Sequence, residues 1–168
     1  MALRVLEKYG SPVLRKKAQP IVDVTEEIVA LAQDMLETMH AFSGIGLAGN
    51  QVGVPLRIIT VVHPETREDL VVINPEIVAI STERELGEEG CLSIPEVYGK
   101  VERALRVTVR GMDLRGKEVE IAAQGLLARI FQHEIDHLDG VLFVDRLHPA
   151  KRLLLSSKLK KIAREGTR

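Results

Sequence analysis

The chain has a single cysteine, Cys91, among its 168 residues. An internal disulfide is therefore excluded, and the composition suits a reducing compartment, here taken as the cytoplasm. An excess of charge is also missing, since 23 lysines and arginines stand against 24 aspartates and glutamates. No overall field points to nucleic acid, so specific DNA binding is not expected. Long apolar runs are absent as well. The opening Met1-Ala2-Leu3-Arg4-Val5-Leu6-Glu7 lacks the apolar centre of a signal peptide, and no segment approaches the ~20 residues of a membrane span. Internal repeats and low-complexity linkers are wanting too, so residues 1–168 read as one domain, long enough for a real core.

What the chain does contain is concentrated in three stretches. The most informative is Gln132-His133-Glu134-Ile135-Asp136-His137-Leu138-Asp139-Gly140, which holds an H-E-x-x-H pattern. On an α-helix, residues four apart lie on one face, so His133 and His137 can grip one metal ion. Glu134 lies about 100° round from His133, where it can handle a proton on a metal-bound water. By the same angles Leu127, Phe131, Ile135 and Leu138 form a stripe facing the core. Leu126, Ile130, His133 and His137 form an adjoining stripe, with Glu134 between the two. A helix apolar over so much of its circumference is buried. Two buried imidazoles need partners, because an unpaired polar group in an apolar setting costs on the order of a few kcal/mol. A metal satisfies both, whereas a plain solvated helix explains neither.

A catalytic site of this kind normally has three protein ligands and an open position. The metzincin extension would place its last histidine at residue 143, which is Phe143. A thermolysin-like downstream glutamate is missing too, because Ser156 and Ser157 occupy that region. What remains is Cys91, in Glu88-Glu89-Gly90-Cys91-Leu92-Ser93-Ile94-Pro95, presented from a loop or a strand end. Two alternatives stay open at this point. Cys91 could be a buried inert thiol, or half of a Cys-His attacking pair, although the pair leaves the second histidine and Glu134 unexplained.

The third stretch is Gly44-Ile45-Gly46-Leu47-Ala48-Gly49-Asn50-Gln51-Val52-Gly53, whose first six residues spell G-x-G-x-x-G. A dinucleotide fingerprint requires a strand before it and a helix after it. Here a helix pattern comes first, with Ile28, Leu31, Ala32, Met35, Leu36 and Met39 at helical spacing and Asp23 with Glu26 as its capping pair. A strand-like run at 58–62 follows, and no lysine follows the glycines as a phosphate-binding loop would need. The glycines are read instead as letting one stretch of backbone approach another closely.

The layout is α+β, with antiparallel or mixed β-sheets packed around a central metal-binding helix and a C-terminal helix at the end. Helices are predicted near 11–17, 25–42, 125–139 and 149–164. Strands are predicted near 57–62, 70–80, 104–111 and 118–123, between turn signals such as Asp113-Leu114-Arg115-Gly116. Arg103 is expected to pair with Glu88 or Glu89 and hold the cysteine loop.

Taken together and in order, GIGLAGNQ, EGCLS and QHEIDH closely resemble the peptide deformylases. The resemblance runs along essentially the whole chain and includes Val13-Leu14-Arg15, Val72-Ile73-Asn74-Pro75 and Gly140-Val141-Leu142-Phe143. One departure is Gly49, where the family usually carries alanine or another small residue; it reads as added backbone freedom. The resemblance implies a metal-dependent hydrolase that removes the formyl group from the N-terminal formyl-methionine of newly synthesised polypeptides. It implies Cys91, His133 and His137 as metal ligands, with water in the fourth position. It implies Glu134 as the general base, and Gln51 with the backbone N–H of Leu92 as donors to the oxyanion. Ile45, Gly46 and Gly90 match positions whose backbone pairs with the substrate peptide, and Ile45, Leu126 and Ile130 are expected to line the methionine pocket.

Two nitrogens and one sulfur suit zinc by ligand type. The resemblance implies ferrous iron, with zinc, nickel or cobalt as substitutes. The expected partners are N-formylmethionyl nascent peptides, with no membrane and no second copy of the chain. Lys151, Arg152, Lys158, Lys160, Lys161, Arg164 and Arg168 make the last segment basic, with Leu153, Leu154, Leu155, Leu159 and Ile162 as a partial apolar face. That segment reads either as a solvated helix packed on the domain or, as in some family members, as a helix that touches the ribosome through phosphate contacts. A peptidase or amidase with the same ligands, and a non-catalytic metal protein, are the rival readings; Glu134 and Gln51 argue against the second.

Overall fold

Residues 2–166 are described in the computed structural model. Helix α1 (Glu26–Ala41) begins at Thr25, whose side chain accepts the Ile28 N–H at 3.4 Å. The expected Asp23–Glu26 capping pair is thus replaced by Thr25, because the helix starts too late for Asp23 to reach its free N–H groups. The predicted helix at 11–17 is a single 3₁₀ turn, Pro12–Arg15. Beyond it the chain extends to make a parallel bridge between Gln19 and Leu56.

Seven strands follow among the described residues: β1 (Gly46–Ala48), β2 (Ile58–Val62), β3 (Asp69–Ile80), β4 (Arg84–Cys91), β5 (Ile94–Ala104), β6 (Arg106–Met112) and β7 (Glu118–Gln124). The four predicted strands correspond to β2, β3, β6 and β7. They form one sheet in the order β1-β2-β3-β6-β7, every neighbouring pair antiparallel. The hairpin β4–β5 stands apart as a second sheet, and sequence reasoning missed it. Its first strand, Arg-Glu-Leu-Gly-Glu-Glu-Gly-Cys, carries charge and glycine instead of an apolar alternation.

Helix α2 (Gly125–Leu138) grows directly out of β7. Gly125 makes the junction at φ +60°, a conformation that side chains disfavour. The helix stops just past His137 at Gly140, with φ +75°, where a Cβ would fall 2.6 Å from the Arg15 carbonyl oxygen. The core stripe is as expected: Leu127, Phe131, Ile135 and Leu138 are buried against Ile59, Val61, Val72, Val107 and Val109 of the sheet. On the sheet's other side, Leu31, Met35 and Met39 of α1 pack on Ile58, Val62 and Ile73.

Helix α3 (Pro149–Gly166) seats Leu159 and Ile162 against Ile94, Val97 and Val101 of the hairpin. Leu153 and Leu154 are exposed. Arg168 of the expected basic tail lies outside the described residues. Among the described residues, no helix is long and apolar enough to cross a membrane.

Candidate metal centre

Two elements bring the ligand candidates together. Helix α2 supplies His133 and His137, both buried, and the last residue of β4 is Cys91. Their ligand atoms all lie within 4.8 Å of one another, in the one cluster of this kind found among the described residues. Cys91 Sγ is 3.3 Å from His137 Nε2. His133 Nδ1 is engaged with Glu89 Oε1 at 2.9 Å, which leaves its Nε2 for the cluster.

One thiol and two imidazoles at this separation suit a borderline-soft divalent cation. Two buried atoms beside them, Glu134 Oε1 and His137 Nδ1, have no hydrogen-bond partner in the protein. Burial holds His137 well below the ordinary imidazole value, in the neutral form that binds metals. Burial also opposes charge on His133, but the Cys91 sulfur and the carboxylates of Glu134 and Glu89 outweigh it and hold its pKa well above the ordinary value. A bound cation would displace that proton. The residues present therefore fit a metal.

Glu89 anchors the surrounding layer. Arg103 Nε and Nη2 each bond one of its oxygens at 2.9 Å, and Arg129 Nη1 bonds Oε2 at 2.7 Å. Burial alone would raise the Glu89 pKa, but the bonds from Arg103 and His133 hold it well below the usual carboxylate range. Arg103 continues to Asp136 at 2.6 Å. Arg103 thus takes Glu89 and not Glu88, because alternation along β4 turns Glu88 to solvent. Arg103→Ala would loosen the carboxylate that orients His133, a position whose loss typically weakens metal binding about 10–100-fold. Faster metal release into a chelator is expected; an unchanged rate would reject this role.

Gln51 lies on the 3₁₀ turn Gly49–Val52, immediately after β1. Its Oε1 accepts from the Ala48 N–H at 2.9 Å, which fixes the orientation of the amide. Its Nε2 then faces Ser93 Oγ at 3.1 Å and Cys91 Sγ at 3.4 Å. Asn50 buttresses the helix end by donating to the His137 carbonyl at 2.9 Å. Leu92 is in the two-residue turn between β4 and β5, next to the sulfur.

The glycines serve close approach, as expected. A Cβ at Gly46 would fall 2.5 Å from Glu134 Oε2, and one at Gly49 would fall 2.5 Å from the Leu56 carbonyl oxygen. Gly49 is therefore required by packing, which corrects the expectation of added freedom. Gly46→Ala must displace either β1 or the Glu134 carboxylate. Because a misplacement near 1 Å can cost about 10²-fold, a comparable fall in kcat is expected with metal content unchanged. Wild-type kcat in the alanine variant would contradict the importance of this contact.

Ile45, Gly46, Gln51, Gly90, Cys91, Leu92, Leu126, Ile130, His133 and Glu134 all line one cavity of about 570 Å³, and His137 closes the cluster behind them. Half-exposed Ile45 and Leu126 form apolar parts of its rim, with Phe42 and Tyr98. A separate depression of about 680 Å³ is lined by His63, Ser81, Arg106 and Thr108, holds none of the ligand candidates, and shares Leu126. Sequence reasoning missed Arg129, Ser93, Tyr98 and the link from Glu89 to His133. Arg129 did leave a signal: it is a charge four residues before His133, inside a buried apolar stretch.

Comparison with known proteins points one way. The sequence family described as polypeptide deformylase matches residues 3–153. A peptide deformylase of Thermotoga maritima is 47% identical over 156 residues, covering 93% of this chain and 94% of its own. The crystal structure of peptide deformylase from Thermus thermophilus superposes with a TM-score of 0.91 at 41% identity, covering 98% of this chain and 99% of its own. That of a peptide deformylase from Legionella pneumophila gives 0.89 at 42% identity, with 99% and 98% covered.

Proposed function

The chain belongs to the peptide deformylase family, hydrolases that remove the N-formyl group from nascent peptides, and we propose that it acts through a metal held by Cys91, His133 and His137, with Glu134 as general base. One observation carries this reading. A buried carboxylate with an unpartnered oxygen lies in the same cavity as the Cys91 thiol and the His133 imidazole, and these two with His137 keep their ligand atoms within 4.8 Å of one another. When bound, a divalent ion would polarise the formyl carbonyl and bring the pKa of a water towards neutrality.

Burial pushes the Glu134 carboxyl up to about 7, close to the value that suits a base working near neutral pH. Glu134 takes the proton of the attacking water and returns it to the leaving amine. Gln51 Nε2 and the Leu92 N–H stabilise the oxyanion that develops on the formyl oxygen; one such donor is typically worth about 2.7–4 kcal/mol. The substrate backbone adds to the open edge of β1, the terminal strand of its sheet, with Ile45 and Gly46 on one side and Gly90 on the other. Backbone pairing tolerates many sequences, as an enzyme acting on nascent chains requires. Ile45, Leu126 and Ile130 receive the methionine side chain.

Iron(II) is the proposed physiological ion, with zinc, nickel and cobalt as substitutes, and the sulfur–nitrogen donor set is compatible with all four. The chain works in the cytoplasm as one domain and a monomer. The direct test is formate release from a formyl-Met tripeptide by protein loaded with ferrous iron under anaerobic conditions. Rapid release, with none of the corresponding acid from the N-acetyl peptide, is expected. Silence on both with metal bound would turn the reading to a broader amidase.

A transient ribosome contact through α3 is part of the proposal, supported by Leu153 and Leu154 standing exposed beside Lys151 and Arg152. Reversing charge at exposed Lys151, Lys160 and Lys161 spares the packed Leu159 and Ile162. It is expected to abolish co-sedimentation with ribosomes at low salt while leaving turnover of short peptides intact. Undiminished co-sedimentation would remove this contact.

A further inference from the structure

We propose that Arg129 is a positioning residue for the metal centre, clamping the hairpin that carries Cys91 and Glu89 to the helix that carries both histidines. The inference rests on the metal reading given above and deepens it. Arg129 lies four residues before His133 on the same face of α2, and it is buried. Its Nη1 bonds Glu89 Oε2 at 2.7 Å, the Val101 carbonyl at 2.8 Å and the Gly87 carbonyl at 3.3 Å. Its Nη2 bonds the Glu85 carbonyl at 2.7 Å. One guanidinium on α2 therefore holds both strands of the hairpin, β4 through Glu85, Gly87 and Glu89, and β5 through Val101.

The local sequence is built to admit this group. A Cβ at Gly87 would fall 2.9 Å from Arg129 Cζ and 3.0 Å from Nη2, so the guanidinium lies flat against the space glycine leaves. The role differs from that of Arg103, which starts on β5 and reaches α2 through Asp136. Glu89 Oε2 would still receive Arg103 Nε if Arg129 were removed, so the carboxylate would keep a cationic partner. What Arg129 adds is a direct tie from the helix to the backbone of both hairpin strands, where Gln132 of α2 reaches only Ala104 at the end of β5. Cys91 ends β4 two residues beyond Glu89, so the tie governs the distance from the sulfur to the two imidazoles.

Lysine at 129 keeps the charge but, as a point donor, cannot span acceptors lying in several directions as a planar fork does. Alanine would strip this donor from the buried Val101 carbonyl and the part-buried Gly87 and Glu85 carbonyls and endanger folding, so Arg129→Lys is the primary variant. Gly87→Ala is the second, because it pushes on the guanidinium from outside and leaves every ligand in place. Wild type and both variants are loaded with cobalt(II). Cobalt release into excess chelator and the cobalt–thiolate absorption band are then recorded, alongside melting of the metal-free proteins.

Release at least about tenfold faster in both variants, with an altered thiolate band, is the expected result, in the range typical of residues that orient metal ligands. Melting temperatures that fall while release rate and band match wild type would overturn the inference and leave Arg129 a purely structural residue. If Arg129→Lys fails to fold, Gly87→Ala decides alone. A wild-type protein that takes up no cobalt would overturn the metal reading and this inference with it.

Discussion

Glu134→Gln is expected to lower kcat/KM for a formyl-Met peptide by about 10²–10⁴-fold, the usual contribution of a positioned general base, while the metal stays bound. The substitution changes little else. Glutamine has the shape of glutamate, so the contact with Gly46 is kept, and Glu134 Oε1 has no hydrogen bond to lose. His133 and His137 retain their places one residue before and three residues after it. What disappears is the group that takes a proton from water and returns it to the amine. Metal counting and formate release on the same sample check the result. A loss below about tenfold with full metal content would mean that another group carries the proton.

The second large effect is expected at Cys91. Cys91→Ser keeps the size of the side chain but replaces a thiolate with a hydroxyl, a poor ligand for a borderline-soft ion. Bound metal should fall from about one ion per chain to nearly none, and activity with it, because two imidazoles remain where a catalytic site normally has three ligands. The fold should persist, since Cys91 is only partly buried at the end of its strand. Metal analysis with a melting curve separates loss of the ion from unfolding. Full metal retention in the serine variant would place the third ligand elsewhere and reopen the Cys-His attacking pair.

The parts of this site legible in the sequence were those written in local periodicity. Helix α2 announced itself through its two stripes, predicted near 125–139 and observed at Gly125–Leu138. Cys91 emerged by elimination, since Phe143, Ser156 and Ser157 stand where the other ligands would be. The hairpin β4–β5 was not legible for a physical reason. Its strands are held to each other through Arg103 and Glu89, and to α2 through Arg103 with Asp136 and Arg129 with Glu89, partners 14, 33 and 40 residues apart in sequence, so no window of a few residues contains the pattern. Tertiary context overrides local propensity in such a segment. Gly49 was misread as added backbone freedom for a related reason: its role depends on the carbonyls of Val54 and Leu56, which fold back over it.

The most direct measurement follows one sample of the protein through metal removal and return. Formate release from a formyl-Met tripeptide is recorded on the iron-loaded protein, after anaerobic chelation, and during stepwise addition of ferrous iron, with bound metal counted at each step. The expected result is activity that vanishes with the metal and returns in proportion to it, saturating at about one ion per chain. Formate release that persists after the last ion is gone would contradict the assignment of Cys91, His133 and His137 as the centre of the reaction.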